Sequence, residues 1–122
     1  MIGYATLGTN DLEAAGRFYD AIAEILGARR VYQLDRFIAW QGQAGGAFMA
    51  IKPADGQPAS VGNGDMVAFI APDRAAVDNA HAKALELGGK DEGAPGPRSE
   101  TTYSAYFRDP EGNKVCVFHR AS

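Results

Sequence analysis

The sequence predicts an α+β protein made of two β-α-β-β-β modules, each a small sheet with a helix packed on one face. Two observations carry this. Strand-like and helix-like segments run in the order strand, helix, three strands, and the same order starts again near residue 65. The two halves also overlay at an offset of 62, which sets Asp11 on Asp73, Glu24 on Glu86, Gly27 on Gly89 and Leu7 on Phe69. Identity across the repeat is sparse, so it rests mainly on the matching order of elements.

In the first half, Met1–Gly8 is rich in β-formers, with Ile2, Tyr4, Thr6 and Leu7. Asn10 is the expected N-cap of the following helix, with Glu13 completing a capping box. Leu12, Ala15, Phe18, Tyr19, Ile22 and Leu26 form an apolar stripe at helical period, and Gly27 stops the helix. Strands are expected at about Arg30–Leu34, Arg36–Gln41 and Phe48–Lys52, with Gly42, Gly45 and Gly46 in the last turn. Pro53–Gly64 has two Pro, three Gly and no periodicity, and reads as a linker. The chain is thus one domain, 1–122, with module 1 at about 1–54, the linker at about 53–64 and module 2 at about 65–120.

The second half opens with a strand at Asp65–Ala71. Pro72-Asp73 then starts a helix carrying Val77, Ala80, Ala84 and Leu87, and Gly88-Gly89 closes it. Strands follow near Lys90–Glu92, Tyr103–Arg108 and Lys114–His119, the last two joined by the turn Asp109-Pro110-Glu111-Gly112-Asn113. Gly93–Thr102, rich in Gly, Pro and Ser, reads as a loop suited to act as a lid.

Fifteen acidic against twelve basic side chains give a formal charge of −3. That argues against a nucleic-acid or anionic-membrane partner, both of which call for a basic face. A single Cys excludes an internal disulfide and any multi-Cys metal site. There is no apolar run of membrane-spanning length and no signal-peptide pattern, so a cytoplasmic protein is expected. Gly62-Asn63-Gly64 lacks the context of a phosphate-binding loop, and no Ser-His-Asp arrangement is supported.

The stretches Tyr4-Ala5-Thr6-Leu7-Gly8-Thr9-Asn10-Asp11, Phe18-Tyr19 with Leu26-Gly27, and Phe107-Arg108-Asp109-Pro110-Glu111-Gly112-Asn113-Lys114-Val115 resemble the vicinal oxygen chelate superfamily. This group includes glyoxalase I, extradiol dioxygenases, methylmalonyl-CoA epimerase, and fosfomycin and bleomycin resistance proteins. The resemblance implies two βαβββ modules forming a cupped mixed sheet with helices on the convex face, a pocket inside the cup, and a homodimer. Many members bind a divalent metal through His and Glu on the cup face. The matching positions here are Tyr4, Ala50 (with one residue of uncertainty), Met66 and Cys116, and none is His or Glu. Ala offers no donor, and phenol and thioether are poor ligands for zinc, nickel, manganese or iron. No metal and no cofactor are expected at this site.

Strand alternation supplies a candidate pocket. Tyr4 and Thr6 come from the first strand, and Phe48, Ala50 and Lys52 from the fourth. Met66, Ala68 and Ile70, then Cys116 and Phe118, come from the second module. Trp40, and Tyr103 or Tyr106, join from strands whose register the sequence leaves open. The opposing sets, Ala5 and Leu7, Met49 and Ile51, Val67 and Phe69, Val115 and Val117, suit the helix side. Such aromatic, sulfur-rich walls with a few polar handles have the composition of a small-molecule pocket. The same residues also suit a filled cup, because buried Met and Cys commonly serve as packing. Lys52 is the candidate cation on the cup face and Arg98 the candidate at the rim. His81 and His119 fall on the helix side, leaving Cys116 without a base to activate it.

The function expected from the sequence is metal-free binding of a small, partly aromatic molecule, as in the bleomycin resistance branch. The acidic charge is compatible with a cationic ligand. The rival readings are a metal-dependent lyase or isomerase of the glyoxalase I type, and a dimerising interaction protein with a filled cup.

Overall fold

Two four-stranded mixed sheets with the same connectivity form the protein, each carrying one helix. The structure is a computed structural model, and it describes residues 1–121. The chain divides into two compact units, one from Met1 to Gly62 and the other from Asn63 onward.

The first unit contains β1 (Tyr4–Gly8), α1 (Leu12–Leu26), β2 (Arg29–Gln33), β3 (Phe37–Gln41) and β4 (Ala47–Ile51), in sheet order β1-β4-β3-β2. The β1–β4 pair is parallel and the other two pairs are antiparallel. The N-cap of α1 is Asp11 rather than Asn10: its side chain accepts from the Ala14 N–H at 3.0 Å. Asn10 instead ties down the linker, exchanging two hydrogen bonds with the Ala59 backbone. Glu13 closes no capping box and pairs with Arg17 one turn on. At the other end Gly27 adopts a left-handed φ of 76°, and its N–H bonds back to the last turn, as its position after the apolar stripe predicts.

The second unit contains β5 (Val67–Ile70), α2 (Arg74–Glu86), β6 (Lys90–Pro97), β7 (Thr102–Arg108) and β8 (Lys114–Arg120), in sheet order β5-β8-β7-β6. Asp73 caps α2 through the Ala76 N–H at 2.8 Å, so the Asp11–Asp73 match of the repeat is a match of helix caps. The Gly27–Gly89 match is looser. The left-handed residue after α2 is Gly88, while Gly89 allows a close approach: a Cβ there would lie 2.6 Å from the Arg108 carbonyl oxygen. The 109–113 turn is tied by Asp109, whose Oδ1 accepts from the Glu111 and Asn113 N–H groups.

One expected element changes. Gly93–Pro97 is not a loop but the second half of β6, paired with β7 across two irregularities. A lid over Gly93–Thr102 is therefore corrected to a tight turn at 98–101, closed by the Arg98 N–H donating to the Thr102 carbonyl.

Candidate functional site

Sheet register decides which side chains each face presents, because residues directly opposite share a face. In the second unit the face packed on α2 carries Val67, Phe69, Val115, Val117, Ala105 and Phe107, as expected for the helix side. The helix-free face carries Ala68, Ile70, Cys116, Phe118 and Tyr106. Met66 precedes β5 in the same phase and is 43% exposed. Cys116 and Phe118 thus fall where alternation places them.

Tyr103 does not. It lies on the helix side, where its hydroxyl donates to Asp78 Oδ1 of α2 at 2.6 Å and Arg74 stacks on its ring. This bond raises the phenol pKa. Of the two tyrosines left open by the sequence, Tyr106 is the one on the helix-free face. A signal for it existed. If the 109–113 turn closes a hairpin with Arg108 opposite Lys114, counting back sets Tyr106 opposite Cys116.

In the first unit Tyr4 and Thr6 lie on the helix-free face, opposite Ala47 and Met49. Phe48, Ala50 and Trp40 do not join them, and their expected place is corrected. Phe48 and Ala50 share the α1 side with Ala5, Leu7, Ile38 and Trp40. The Phe48 ring sits 4.6 Å from that of Tyr19 on α1. Trp40 is 3% exposed, and its indole N–H donates to Asp20 Oδ1 of α1 at 2.8 Å. Arg30 clamps the same carboxylate with two further bonds. Met49 and Ile51, expected under the helix, take the helix-free face instead. Lys52 follows the phase of Phe48 and Ala50, lies beyond the end of β4 and is exposed, so it is no cation for that face. The cause is the composition of β4: every residue from Ala47 to Ile51 is apolar, so the pattern carries no phase information.

Both histidines are on the helix side, as expected. His81 of α2 is buried and donates to Asp91 Oδ1 at 2.9 Å, and His119 donates to the Ala71 carbonyl. The His81 bond, followed by the Gly93 N–H, holds the Asp91 carboxyl below its ordinary value. Neither imidazole faces Cys116.

The four positions that the family resemblance implies as metal-ligand positions, Tyr4, Ala50, Met66 and Cys116, carry side chains poorly suited to a divalent ion. Tyr4 is a phenol 63% exposed, and Ala50 is buried toward α1 with Met49 and Ile51 as its neighbours on the other face. Met66 is a thioether. Cys116 is 4% exposed, and burial pushes its thiol pKa up, against smaller lowering effects of a Tyr106 hydrogen bond and the charges of Arg98 and Lys114. A thiol held protonated is a poor ligand and a poor nucleophile. Among the described residues, no three His, Cys, Asp or Glu side chains gather in a metal-binding arrangement.

What the helix-free face of the second unit does assemble is a ring with cations. The Arg98 guanidinium lies 5.5 Å, and the Lys114 ammonium 5.6 Å, from the Tyr106 ring centre. Arg120 lies 6.0 Å from that of Phe118. Gly93 and Gly96 make room for Arg98 on β6. A Cβ on Gly93 would come within 3.0 Å of the Tyr106 ring, and one on Gly96 within 3.2 Å of the guanidinium. Elsewhere, a cleft of about 400 Å³ beside Gly27, Arg29, Val31, Gln41, Gly42 and Gln43 contains none of the candidate residues.

Residues 1–117 match the model of the Glyoxalase/Bleomycin resistance protein/Dioxygenase superfamily. Among solved structures, a glyoxalase/bleomycin resistance protein from Albidiferax ferrireducens T118 is 38% identical, with 99% of both chains covered and a TM-score of 0.91. A lactoylglutathione lyase from Agrobacterium tumefaciens is 26% identical over 98% of this chain and 92% of its own, with a TM-score of 0.67. A glyoxalase/bleomycin resistance protein/dioxygenase family enzyme from Burkholderia phytofirmans PsJN, 19% identical over 98% of both chains, shares the fold at a TM-score of 0.75. No match is found among curated proteins.

Proposed function

This chain belongs to the Glyoxalase/Bleomycin resistance protein/Dioxygenase superfamily, and from that premise we propose that it binds a small, partly aromatic molecule without a metal ion. The observation that carries the reading is the helix-free face of the second unit. There Met66 and Ile70 are exposed and the rings of Tyr106 and Phe118 half-buried, an apolar and aromatic surface with Ser104 buried beneath it opposite Phe118. Superfamily membership does not name a reaction, because one fold hosts many chemistries. The reading is supported by the donor chemistry of the site residues, which does not favour a divalent-ion site. The experiment is thermal denaturation of dialysed protein, with and without aromatic small molecules and in the presence of a chelator. Ligand-dependent stabilisation that the chelator leaves intact is expected. About one zinc, nickel or manganese ion per chain surviving dialysis would overturn it.

A second reading, a lyase, is favoured by the 26% identity to the Agrobacterium tumefaciens lactoylglutathione lyase. Proton-transfer chemistry of that kind draws on a metal to stabilise a developing oxyanion, and the four positions lack the donors. Metal-dependent turnover by the purified protein would establish it. We also propose that the protein works as a cytoplasmic homodimer. Exposed Tyr4, Tyr32 and Leu34 in the first unit support an apolar contact, and sedimentation tests it. Among the described residues no helix is long and apolar enough to cross a membrane.

A further inference from the structure

We propose that the helix-free face of the second unit recognises an organic anion with a flat apolar body, an aryl carboxylate in chemical class, through Arg98 and Lys114 gathered at the Tyr106 ring. The inference rests on the small-molecule reading above and names its ligand chemistry.

Three observations support it. The first is that the two cations are not neutralised. Among the described residues neither Arg98 nor Lys114 has a carboxylate within pairing distance, and nor does Arg120, 6.0 Å from the Phe118 ring on the same face. The second is that Arg98 is held in place. Its Nη1 donates to the Gly96 carbonyl and its Nη2 to the Ala94 carbonyl, each at 3.0 Å. Those bonds lay the guanidinium along β6 against Tyr106, in the space left by two glycines. An ordered guanidinium loses less entropy on binding a carboxylate than a free one does. The third is the surface next to the charges. Tyr106 and Cys116 are a cross-strand pair, and Phe118, Ile70 and Ala68 continue the same face, so an apolar plate adjoins the cations.

A flat ring lying on Phe118 and Ile70 brings an attached carboxylate toward the two cations. A neutral ring gains only the apolar part of this contact, and a cationic ring meets repulsion. The preference is thus for a negative charge even though the whole chain carries a formal −3, because contact-range charges outweigh a screened net charge.

The test compares 2-naphthoate, 2-naphthamide and 2-naphthylmethylammonium by isothermal titration at low and high salt. A parallel readout is acetylation of Lys114, which a carboxylate seated beside it slows. The expected result has naphthoate binding about tenfold or more tighter than naphthamide, with the gap shrinking at high salt. The Arg98→Gln/Lys114→Gln variant is expected to bring the two to near parity. If that variant does not fold, Lys114→Gln alone and the salt series on the unmodified protein carry the same comparison. Equal binding of naphthoate and naphthamide, or tighter binding of the ammonium compound, overturns the anion preference and leaves small-molecule binding standing. Binding of naphthoate without protection of Lys114 overturns the location. Failure of all three compounds to bind overturns the inference together with the reading beneath it.

Discussion

Phe48→Ala separates the two possible faces of β4. If Phe48 faced a ligand, truncating it would weaken binding and cost little stability. The structure puts it against α1 at 6% exposure, with its ring 4.6 Å from Tyr19 and 5.9 Å from Trp40. Removing a buried phenyl group typically costs about 3–5 kcal/mol, because its transfer free energy is lost and a cavity remains. Its ring pairs with Tyr19 and Trp40 vanish with it, each worth about 0.5–1.5 kcal/mol and already within that range. We expect a loss of about 4 kcal/mol, a large share of the roughly 5–15 kcal/mol that holds a domain folded. In a domain of this size that lowers Tm by about 10–15 °C.

The assay is urea denaturation followed by far-UV circular dichroism, with the slope checked to confirm a stability change rather than a change in cooperativity. Phe118→Ala is the control. That ring is half-buried on the helix-free face, so its loss costs about 1–2 kcal/mol and weakens binding of an aryl probe. A Phe48→Ala variant that loses less than about 1 kcal/mol, or that keeps its stability while losing the aryl probe, would refute the assigned phase of β4. The same phase makes Trp40 a reporter of the core: its emission should be blue-shifted and indifferent to ligands on the other face.

Asp20→Ala should cost about 2–3 kcal/mol, because it leaves the buried Trp40 N–H without an acceptor and Arg30 without its partner. Asp20→Asn, which keeps an acceptor oxygen for the indole, should cost less on the same denaturation curves. The two glycines after α2 should differ. Gly88→Ala meets only the left-handed backbone penalty of about 1–2 kcal/mol, whereas Gly89→Ala drives a Cβ into two carbonyl oxygens and should cost about 3 kcal/mol or block folding. The Asp91 carboxyl has a lower pKa folded than unfolded, so its contribution is complete above the ordinary carboxylate pKa and is lost as pH falls through the folded value. The acid limb of a Tm–pH profile should therefore flatten in Asp91→Asn. Cys116, its thiol pushed up by burial, should react with iodoacetamide at pH 8 more slowly than a free small thiol does.

Much of the fold was legible because its signals are local. The βαβββ order, the Asp73 side of the cap match and the 109–113 turn each come from a few adjacent residues of defined type. Faces were legible where a strand alternates chemically, as in Lys114–Arg120, where valines at 115 and 117 take the helix side. They were illegible in Ala47–Ile51, where both faces are apolar. Trp40 and Tyr103 misled for a different reason. Each pairs an apolar ring with one polar hydrogen, which reads as a pocket residue with a polar handle. In the fold each turns its ring to the helix side, Trp40 buried and Tyr103 half-buried, and passes the hydrogen to an aspartate of that helix, Asp20 or Asp78, 20 and 25 residues away. No local pattern reports such a partner. Asn10 looked like a cap because Asn is a strong cap former, but the adjacent Asp11 took the position and freed Asn10 to hold the linker.

The two units share a topology, and the placement of individual cations bears on function more than the shared fold does. In the first unit Arg30 lies over Trp40 and is discharged onto Asp20, so its charge is consumed in joining helix to sheet. In the second unit Arg108 is matched by Glu92, while Arg98 and Lys114 stand at Tyr106 with no carboxylate beside them among the described residues. Arg29, Arg36, Lys52, Arg74, Lys90 and Arg120 form no ion pair either among the described residues, so what sets Arg98 and Lys114 apart is that both stand at one ring. A purely structural role for Arg98, capping the Ala94 and Gly96 carbonyls, accounts for its position but not for Lys114 converging on the same ring. If capping were the whole role, Arg98→Gln would lower stability without altering any preference between a carboxylate and its amide.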